Sequence, residues 1–179
     1  MSDFKKERPT PQTPQVPAGA NVVSVLDVDA DGATVKLWPA AYAVRQALET
    51  MGTYSTRHYV CGRALYCAVA FGDVTRDAPC PESYRVRKDA NLNEADGSLI
   101  AAAAEWGVGT RVFALPPIRI SKERVQINPV AGRDGKTIHH YVLADRLSVA
   151  DIKLDDKGCI AEVQLRKASD GGVIAWQAN

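Results

Sequence analysis

The sequence is poor in aromatic residues and cysteine, and it has no long apolar run. Aromatic residues make up 7% of its 179 residues, and its four cysteines form no C-x-x-C pair. No segment approaches the ~18 consecutive apolar residues that a membrane helix needs, and the polar residues 1–8 lack the apolar region of a signal peptide. These absences argue against a membrane protein and a secreted disulfide scaffold, and they predict a cytoplasmic protein with a single core.

The sequence also lacks an excess of charge of either sign. Its 22 Lys and Arg residues and 21 Asp and Glu residues leave a net charge of +1. Bulk charge therefore cannot attract nucleic acid or an acidic membrane, so any anion site has to be a local patch. Glycine-rich nucleotide loops and nucleophile-elbow serines are missing as well. We therefore expect no cofactor and no catalytic residue.

Two groups of residues are of the types that bind metals. Asp27–Gly32 matches the first six positions of a calcium loop, but Trp38 occupies the position that requires a glutamate. The flanking residues are typical of strands, which favours a hairpin with an Asp-Gly turn. We therefore predict no metal site at this segment. The second group has a spacing that matches no common zinc finger, so we predict no metal site there either. It consists of His58, Cys61, Cys67 and Cys80.

Residues 1–20 differ in composition from the rest of the chain. They contain four prolines among Thr, Gln and charged residues and have almost nothing apolar to bury. This composition predicts a disordered Pro-rich tail, and residues 21–179 then form one folded domain. The basic residues Lys5, Lys6 and Arg8 are either solvated, which is the favoured reading, or contact a polyanion.

Residue patterns along the domain predict an α+β fold. Pro39 suits the first position of a helix that Gly52 ends, and Asn93 can cap a second helix that ends near Gly107. We expect an antiparallel β-sheet with two main helices, followed by a β meander over roughly the last fifty residues. The predicted helices are Ala40–Met51 and Asn93–Trp106, and the predicted strands are Val22–Val28, Ala33–Trp38, Tyr54–Cys61, Ala64–Phe71, a short one at Tyr84–Val86 within a connection over Arg76–Leu92, Arg111–Leu115 and parts of Ile118–Ile127.

Ten of the 22 basic residues fall in one block between residues 57 and 124. Tyrosines 54, 59, 66 and 84 are interleaved with them and offer rings for base stacking, worth about 1–3 kcal/mol per base. The alternative is a solvated, salt-bridged surface with the aromatic rings in the core. The block consists of Arg57, Arg63, Arg76, Arg85, Arg87, Lys88, Arg111, Arg119, Lys122 and Arg124.

Residues 94–116 resemble a motif of a known family. The segment contains Trp106-Gly107-Val108-Gly109 and ends in Leu115-Pro116. It is similar to the helix and following strand of the Rad-fifty-two-like single-strand annealing (recombination mediator) proteins, particularly their phage and bacterial branch. The order of elements from about Val35 to Trp176 is also similar to that of the family.

The resemblance implies a β-β-β-α core whose copies form rings or filaments and hold single-stranded DNA in a basic groove without ATP. Such proteins need no catalytic residue, because duplex formation itself drives annealing. The family's Lys-Arg pair aligns here with Ile100 and Ala101, and a further family Arg aligns with Thr110. Three explanations are then open. The groove is rebuilt from other cations, DNA affinity is weak and needs a partner, or DNA binding has been lost.

We therefore predict a non-enzymatic, self-assembling protein of phage or prophage origin that binds single-stranded DNA and promotes strand annealing in recombination and repair. The N-terminal tail is then a candidate site for recruiting a recombination or replication partner. The alternative is a ring- or filament-forming structural protein of the same fold that has lost DNA binding. A third, less favoured reading is a small enzyme whose site the sequence does not reveal. The predicted DNA-binding residues are Arg57, Arg63, Tyr66, Arg85, Arg87, Lys88 and Arg111.

Overall fold

A computed structural model of the chain describes residues 14–85 and 93–178. It confirms the α+β class, with antiparallel sheets, two main helices and a C-terminal meander. A short 3-10 turn, Ala18–Ala20, precedes the first strand. The helices are α1 (Ala41–Met51), α2 (Glu82–Arg85), α3 (Glu94–Glu105) and α4 (Thr110–Ala114). The strands are β1 (Asn21–Asp29), β2 (Gly32–Pro39), β3 (Ser55–Cys61), β4 (Ala64–Phe71), β5 (Val74–Pro79), β6 (Ile118–Ser121), β7 (Ile127–Ala131), β8 (Ile138–Leu143), β9 (Leu147–Leu154), β10 (Ile160–Lys167) and β11 (Val173–Gln177).

The strands form three three-stranded sheets and one two-stranded hairpin within the described residues. Their orders are β1-β2-β6, β3-β4-β5 and β11-β10-β9, and β7 pairs with β8. Helix α3 packs on β4 and β5, and α1 packs on α3. The middle of the fold is thus three strands followed by a helix on one face of their sheet. No helix within the described ranges combines the length and the apolar character needed to cross a membrane.

The predicted calcium-like segment is the turn of the first hairpin. The Asp29 carboxylate accepts hydrogen bonds from the backbone N–H groups of Asp31 (2.8 Å) and Gly32 (3.0 Å). Arg119 on β6 donates to the same carboxylate at 2.6 Å. A side chain that binds its own turn in this way is a common hairpin device. The hairpin prediction is therefore confirmed.

Two apolar clusters lie on either side of β2. The first joins α1 and α3 to β4 and includes Leu48 and Leu99. The second joins β2 and β6 to the β9–β11 sheet and includes Val163 and Leu165. Strand β2 contributes Trp38 to the first cluster and its odd-numbered neighbours to the second, because successive side chains alternate across a strand. One strand therefore forms a wall of both clusters.

Helix α3 begins and ends at the predicted residues. The Asn93 side chain accepts the Asp96 N–H at 2.8 Å and caps the first turn. At the other end, the N–H groups of Gly107 and Val108 donate to the carbonyls of Ala104 and Ala103, which is a Schellman motif. Gly107 has φ 88°, a left-handed conformation that glycine adopts without a Cβ penalty.

Three local predictions are wrong. Arg111–Leu115 is predicted as a strand, but Thr110–Ala114 is the short helix α4, which starts from Gly109 at φ 67°. Val74–Pro79 forms β5, although most of it falls in the predicted connection Arg76–Leu92 and no strand is predicted there; its charged, exposed residues hide the strand pattern. Tyr84 lies in α2 and not in a strand, and Val86 lies outside the described residues.

Helix α1 begins two residues after Pro39, the residue predicted to suit its first position. Pro39 is the last residue of β2, opposite Asn21. The Ala40 N–H then donates to the Ala20 carbonyl at 2.9 Å, which continues the strand pairing by one residue. Ala40 stays extended for this bond, so α1 starts at Ala41. The pairing partner lies twenty residues away in sequence and overrides the local signal of the proline.

Part of the predicted tail packs on the folded domain. Val16 lies against the first apolar cluster and Ala18 against the second. The Asn21 amide donates to the carbonyls of Pro17 (3.0 Å) and Ala18 (2.8 Å) and ties this segment to β1. The packed chain therefore starts before residue 21, and residues 1–13 lie outside the described residues.

Candidate nucleic-acid interface

The β3-β4-β5 sheet has one face against α3 and one face that carries polar and aromatic groups. Cys67, Val69 and Ala78 belong to the first face and are buried in the first apolar cluster. Side chains alternate between faces, so the residues at odd positions of β3 and β5 and at even positions of β4 share the other face. We call this second face the tyrosine face, and its central members are Arg57, Tyr59, Tyr66, Ala68 and Asp77.

The centre of the tyrosine face is a pair of stacked rings. Tyr59 and Tyr66 are directly opposite each other in the β3–β4 register, and their ring centroids lie 5.4 Å apart with an interplanar angle of 20°. The Arg57 guanidinium carbon lies 5.6 Å from the Tyr59 ring centroid. Both rings are half-buried and Arg57 is exposed. A cation and two aromatic rings therefore meet at one exposed spot.

A hydrogen bond anchors the Tyr59 ring across the sheet. The Tyr59 hydroxyl donates to the Asp77 carboxylate on β5. This bond, which favours the protonated phenol beside an anion, raises the pKa of Tyr59 to about 12. The ring thus spans β4, where Ala68 is buried although it lies on an otherwise open face. Tyr59 is a neutral, positioned aromatic surface at every pH below its raised pKa.

The chemistry of the tyrosine face suits unpaired nucleic acid. Aromatic rings on an open sheet can stack on bases of any sequence, and an arginine beside them can contact the phosphate backbone. Asp77 brings a negative charge to the same face, which opposes phosphate. The balance of one cation and one anion beside the two rings suits stacking more than electrostatic attraction.

The structure brings together only some of the predicted DNA-binding residues. Arg57 and Tyr66 share the tyrosine face, and the exposed Arg63 lies in the two-residue turn that joins their strands. Arg85 is the last residue of α2. Two further predicted residues, Arg87 and Lys88, lie outside the described residues.

Arg111 lies at a different part of the fold. It is on α4, not on a strand, and its guanidinium donates to the Gln15 side-chain oxygen at 3.1 Å. It also lies close to Gly158 in the turn between β9 and β10, since a Cβ built on that glycine would be 3.2 Å from Arg111 Nη2. Arg111 therefore contacts the N-terminal segment and the meander, and the structure does not bring it to the tyrosine face.

Other cations of the basic block have structural partners elsewhere. Arg76 is on the α3 side of its sheet, where its guanidinium lies 4.7 Å from the Trp106 ring centroid and donates to the Glu105 carbonyl. Lys122 pairs with Asp31 at 3.0 Å. The remaining two are tied to β1 and β11: Arg119 pairs with Asp29, and Arg124 donates to the Ala175 carbonyl. The basic block in sequence thus divides over several surfaces.

The sequence analysis did not predict that Tyr59 and Asp77 lie at the centre of this site. The signal for Tyr59 was present, because a two-residue turn at Gly62-Arg63 pairs Tyr59 with Tyr66 by counting outward from the turn. No comparable signal exists for Asp77. It comes to the face only because Val74–Pro79 forms the third strand, which the sequence does not indicate.

A metal site needs donor groups from several side chains that lie close together. Residues 14–85 and 93–178 contain no group of three or more His, Cys, Asp or Glu side chains arranged to hold a metal ion. Cys67 is fully buried, and this burial raises the pKa of its thiol to about 11, so it is a poor metal ligand and nucleophile. Cys61 and Cys159 are exposed free thiols.

Comparison with known proteins adds no family. No family model, curated protein or solved structure matches this chain. The resemblance to the single-strand annealing proteins therefore stays a prediction from sequence.

Proposed function

We propose that this protein binds single-stranded DNA on the tyrosine face and promotes ATP-independent strand annealing in homologous recombination, as a non-enzymatic cytoplasmic protein. The observation that supports this function is the stacked Tyr59–Tyr66 pair with the Arg57 guanidinium over the Tyr59 ring. Such a surface offers stacking to unpaired bases and one charged contact to their backbone. Annealing itself requires only that bound bases stay accessible, because pairing supplies the free energy.

The open face of the sheet favours binding of single-stranded DNA over duplex DNA. Bases in a duplex are stacked on one another and present only their edges, so rings on a sheet cannot reach their faces. A single strand can unstack and lay its bases on Tyr66 and Tyr59. Among the described residues, Arg57 and the nearby Arg63 are the cations placed at this face, so we expect modest affinity per subunit and binding of long DNA by several subunits.

Strand β3 supplies a reason for assembly. Among the described strands it pairs with β4 alone, and six of its seven residues are exposed, so its outer edge offers unpaired backbone groups. Val60 on this strand is 72% exposed. We propose that copies of the chain associate through this edge into a ring or filament, in which their tyrosine faces follow one another.

The alternative function keeps the assembly and loses the DNA. In that case the protein is a ring- or filament-forming structural protein of the same fold. The observation in its favour is Asp77 on β5, whose carboxylate accepts the Tyr59 hydroxyl at the tyrosine pair and repels phosphate. Oligonucleotide binding separates the two functions.

Binding of a labelled oligonucleotide, followed by fluorescence anisotropy at several salt concentrations, tests the DNA proposal. Tyr66→Ala should weaken binding by about 1–3 kcal/mol, the usual worth of one stacked base. Arg57→Ala should lower the slope of log affinity against log salt by about 0.7, as expected for one lost phosphate contact on a single strand. Duplex of the same sequence should compete weakly.

Matched controls carry the same residue types on other surfaces. Tyr42 is 60% exposed on α1, and Arg133 is exposed in the turn between β7 and β8. Tyr42→Ala and Arg133→Ala should leave binding unchanged. If these controls lose as much affinity as the tyrosine-face variants, the site is wrong; if the unmodified protein binds no oligonucleotide at all, the DNA function is wrong.

Assembly is tested by size-exclusion chromatography with light scattering. We expect a multimer for the unmodified protein and a shift toward monomer for Val60→Glu, because a charge beside the β3 edge opposes strand addition. Val173→Glu is the matched control, since Val173 is 51% exposed on β11, in another sheet. A strict monomer across the concentration range contradicts both the annealing and the structural proposals.

A further inference from the structure

A groove lies on a different part of the fold from the tyrosine face. It is a groove of about 540 Å³ between the end of α4 and the β9–β11 sheet. Its wall is mostly apolar, and it includes one cation, one indole ring and one thiol. The residues that line it include Arg111, Leu115, Pro116, Cys159, Ile160 and Trp176.

Arg111 is the charged group of this groove. It is exposed, and no carboxylate of residues 14–85 or 93–178 forms an ion pair with it. Its one side-chain partner is the Gln15 amide oxygen at 3.1 Å, so most of the five N–H donors of the guanidinium remain available. Gly158 lets the guanidinium lie close to the backbone, because a Cβ there would be 3.2 Å from Nη2.

The other walls are suited to an apolar or aromatic body. The half-buried Trp176 presents its indole to the groove, and Leu115 and Ile160 continue the second apolar cluster to the surface. The volume lies within the range of ordinary small-ligand sites, about 300–1,000 Å³. An apolar wall around one cation without an acidic partner complements a ligand with one anionic group and an apolar remainder.

We propose that this groove binds a small carboxylate with an aromatic or apolar body, held by the Arg111 guanidinium and packed against Trp176. Planar carboxylates match the fork of a guanidinium, which binds both oxygens at once. A nucleotide would share the anionic group, but its sugar and base edges would need polar partners that the apolar wall does not offer. Asp155, an acidic residue in the adjacent turn, does not form an ion pair with Arg111. Its carboxylate instead accepts hydrogen bonds from the backbone N–H groups of Lys157 and Cys159. The groove is lined by α4 and the β9–β11 sheet, so the site is separate from the proposed DNA interface on the β3-β4-β5 sheet.

The chain contains two exposed cysteines, of which one can report on the groove and the other can serve as a control in the same molecule. Cys159 lines the groove, whereas Cys61 lies at the end of β3 in another sheet. We would measure the rate of iodoacetamide alkylation of each cysteine by peptide mass spectrometry with and without indole-3-acetate. The proposal expects indole-3-acetate to slow alkylation of Cys159 severalfold and to leave Cys61 unchanged. Tryptamine, which has the same ring and the opposite charge, should not protect Cys159.

The Arg111→Gln variant tests the charged contact. Half-protection of Cys159 should then require about tenfold more indole-3-acetate, because a hydrogen-bonded ion pair is lost. Cys67 and Cys80 are 0% and 4% exposed, so their continued resistance to alkylation shows that the variant is folded. Thymidine monophosphate, tested in the same way, represents the nucleotide alternative. The proposal is overturned if indole-3-acetate gives no protection, if tryptamine protects equally, if Arg111→Gln has no effect, or if thymidine monophosphate protects and indole-3-acetate does not.

Discussion

Lys36 is a buried cation that holds a helix end. It is 7% exposed on β2, and its ammonium group donates to the carbonyls of Phe113 (2.9 Å) and Leu115 at the end of α4. The ammonium group also lies 5.2 Å from the Trp38 ring centroid. Burial lowers the pKa of Lys36 to about 8 from an ordinary value of 10.5. The charged form is thus less stable in the folded protein than in the unfolded chain, although two carbonyls accept hydrogen bonds from the ammonium group.

Lys36 gives folding stability a distinct dependence on pH. Between pH 8 and pH 10.5 the unfolded chain holds a proton on Lys36 that the folded protein has released. The destabilisation caused by Lys36 is therefore complete below pH 8 and is relieved as the pH rises through this window. We expect the free energy of unfolding of the unmodified protein, relative to Lys36→Met, to rise from pH 8 to pH 10.5 in urea titrations.

The control for this pH effect is an exposed lysine. Lys136 lies in the turn between β7 and β8, and Lys136→Met should leave the pH dependence of stability as it is in the unmodified protein. A flat difference between the unmodified protein and Lys36→Met across the window would show that Lys36 keeps its proton when buried.

At the scale of elements, Gly97 sets how closely α3 approaches its neighbours. A Cβ at this position would lie 2.5 Å from Tyr84 Cδ1 on α2 and 2.6 Å from Cys80 Sγ. The four consecutive alanines that follow, three of them buried, let the rest of the helix lie close to β4 and β5. Small residues along α3 therefore allow it to pack closely against α1, α2 and the β3-β4-β5 sheet.

Gly97→Ala is expected to destabilise the protein by about 1–3 kcal/mol, the usual cost of overpacking. The sign is informative, because the same substitution at an uncrowded helix position stabilises by up to about 1 kcal/mol. Equilibrium urea unfolding followed by circular dichroism measures it. A gain in stability would mean that Tyr84 and Cys80 move aside at no cost and that the close approach is not required.

The elements differ in how far the sequence predicts them. The β3–β4 hairpin, α3 and the first hairpin follow from signals within a few residues: a Gly-containing turn, an Asn cap and a glycine stop. Strand β5 and helix α4 have no such signal. Strand β5 is a strand because β4 offers it a pairing edge, and α4 is a helix because the chain turns left-handed at Gly109. For these two elements, partners and backbone geometry outweigh residue preference.

At the scale of the whole molecule, β2 joins the two apolar clusters. Seven of its eight residues are buried, and it contributes side chains to both clusters. Loss of either cluster exposes the same strand to water. We therefore expect the described part of the chain to unfold as one unit, in agreement with the single domain predicted for residues 21–179.

Leu48→Ala tests this coupling. Leu48 is fully buried in the first cluster, and its truncation should cost about 2–5 kcal/mol. Native-state hydrogen exchange should then show that the slowest amides of β10, in the second cluster, lose protection by the same amount. Leu165→Ala is the reciprocal variant and should lower protection in α3 equally. Protection that falls in one cluster alone would show two independent folding units.

The sequence by itself determined the α+β class, the positions of α3 and the β3–β4 hairpin, and the identity of Arg57 and Tyr66 as candidate contacts. These depend on interactions between residues close together in the chain, and such interactions leave a local pattern. Only the tertiary structure decided that Arg57 and Arg76 lie on opposite faces of one sheet, that Asp77 anchors Tyr59, and that Arg111 belongs to a separate groove. Each of these facts depends on a partner strand or helix from a distant part of the chain, and the free energy of that packing is not encoded in any single segment.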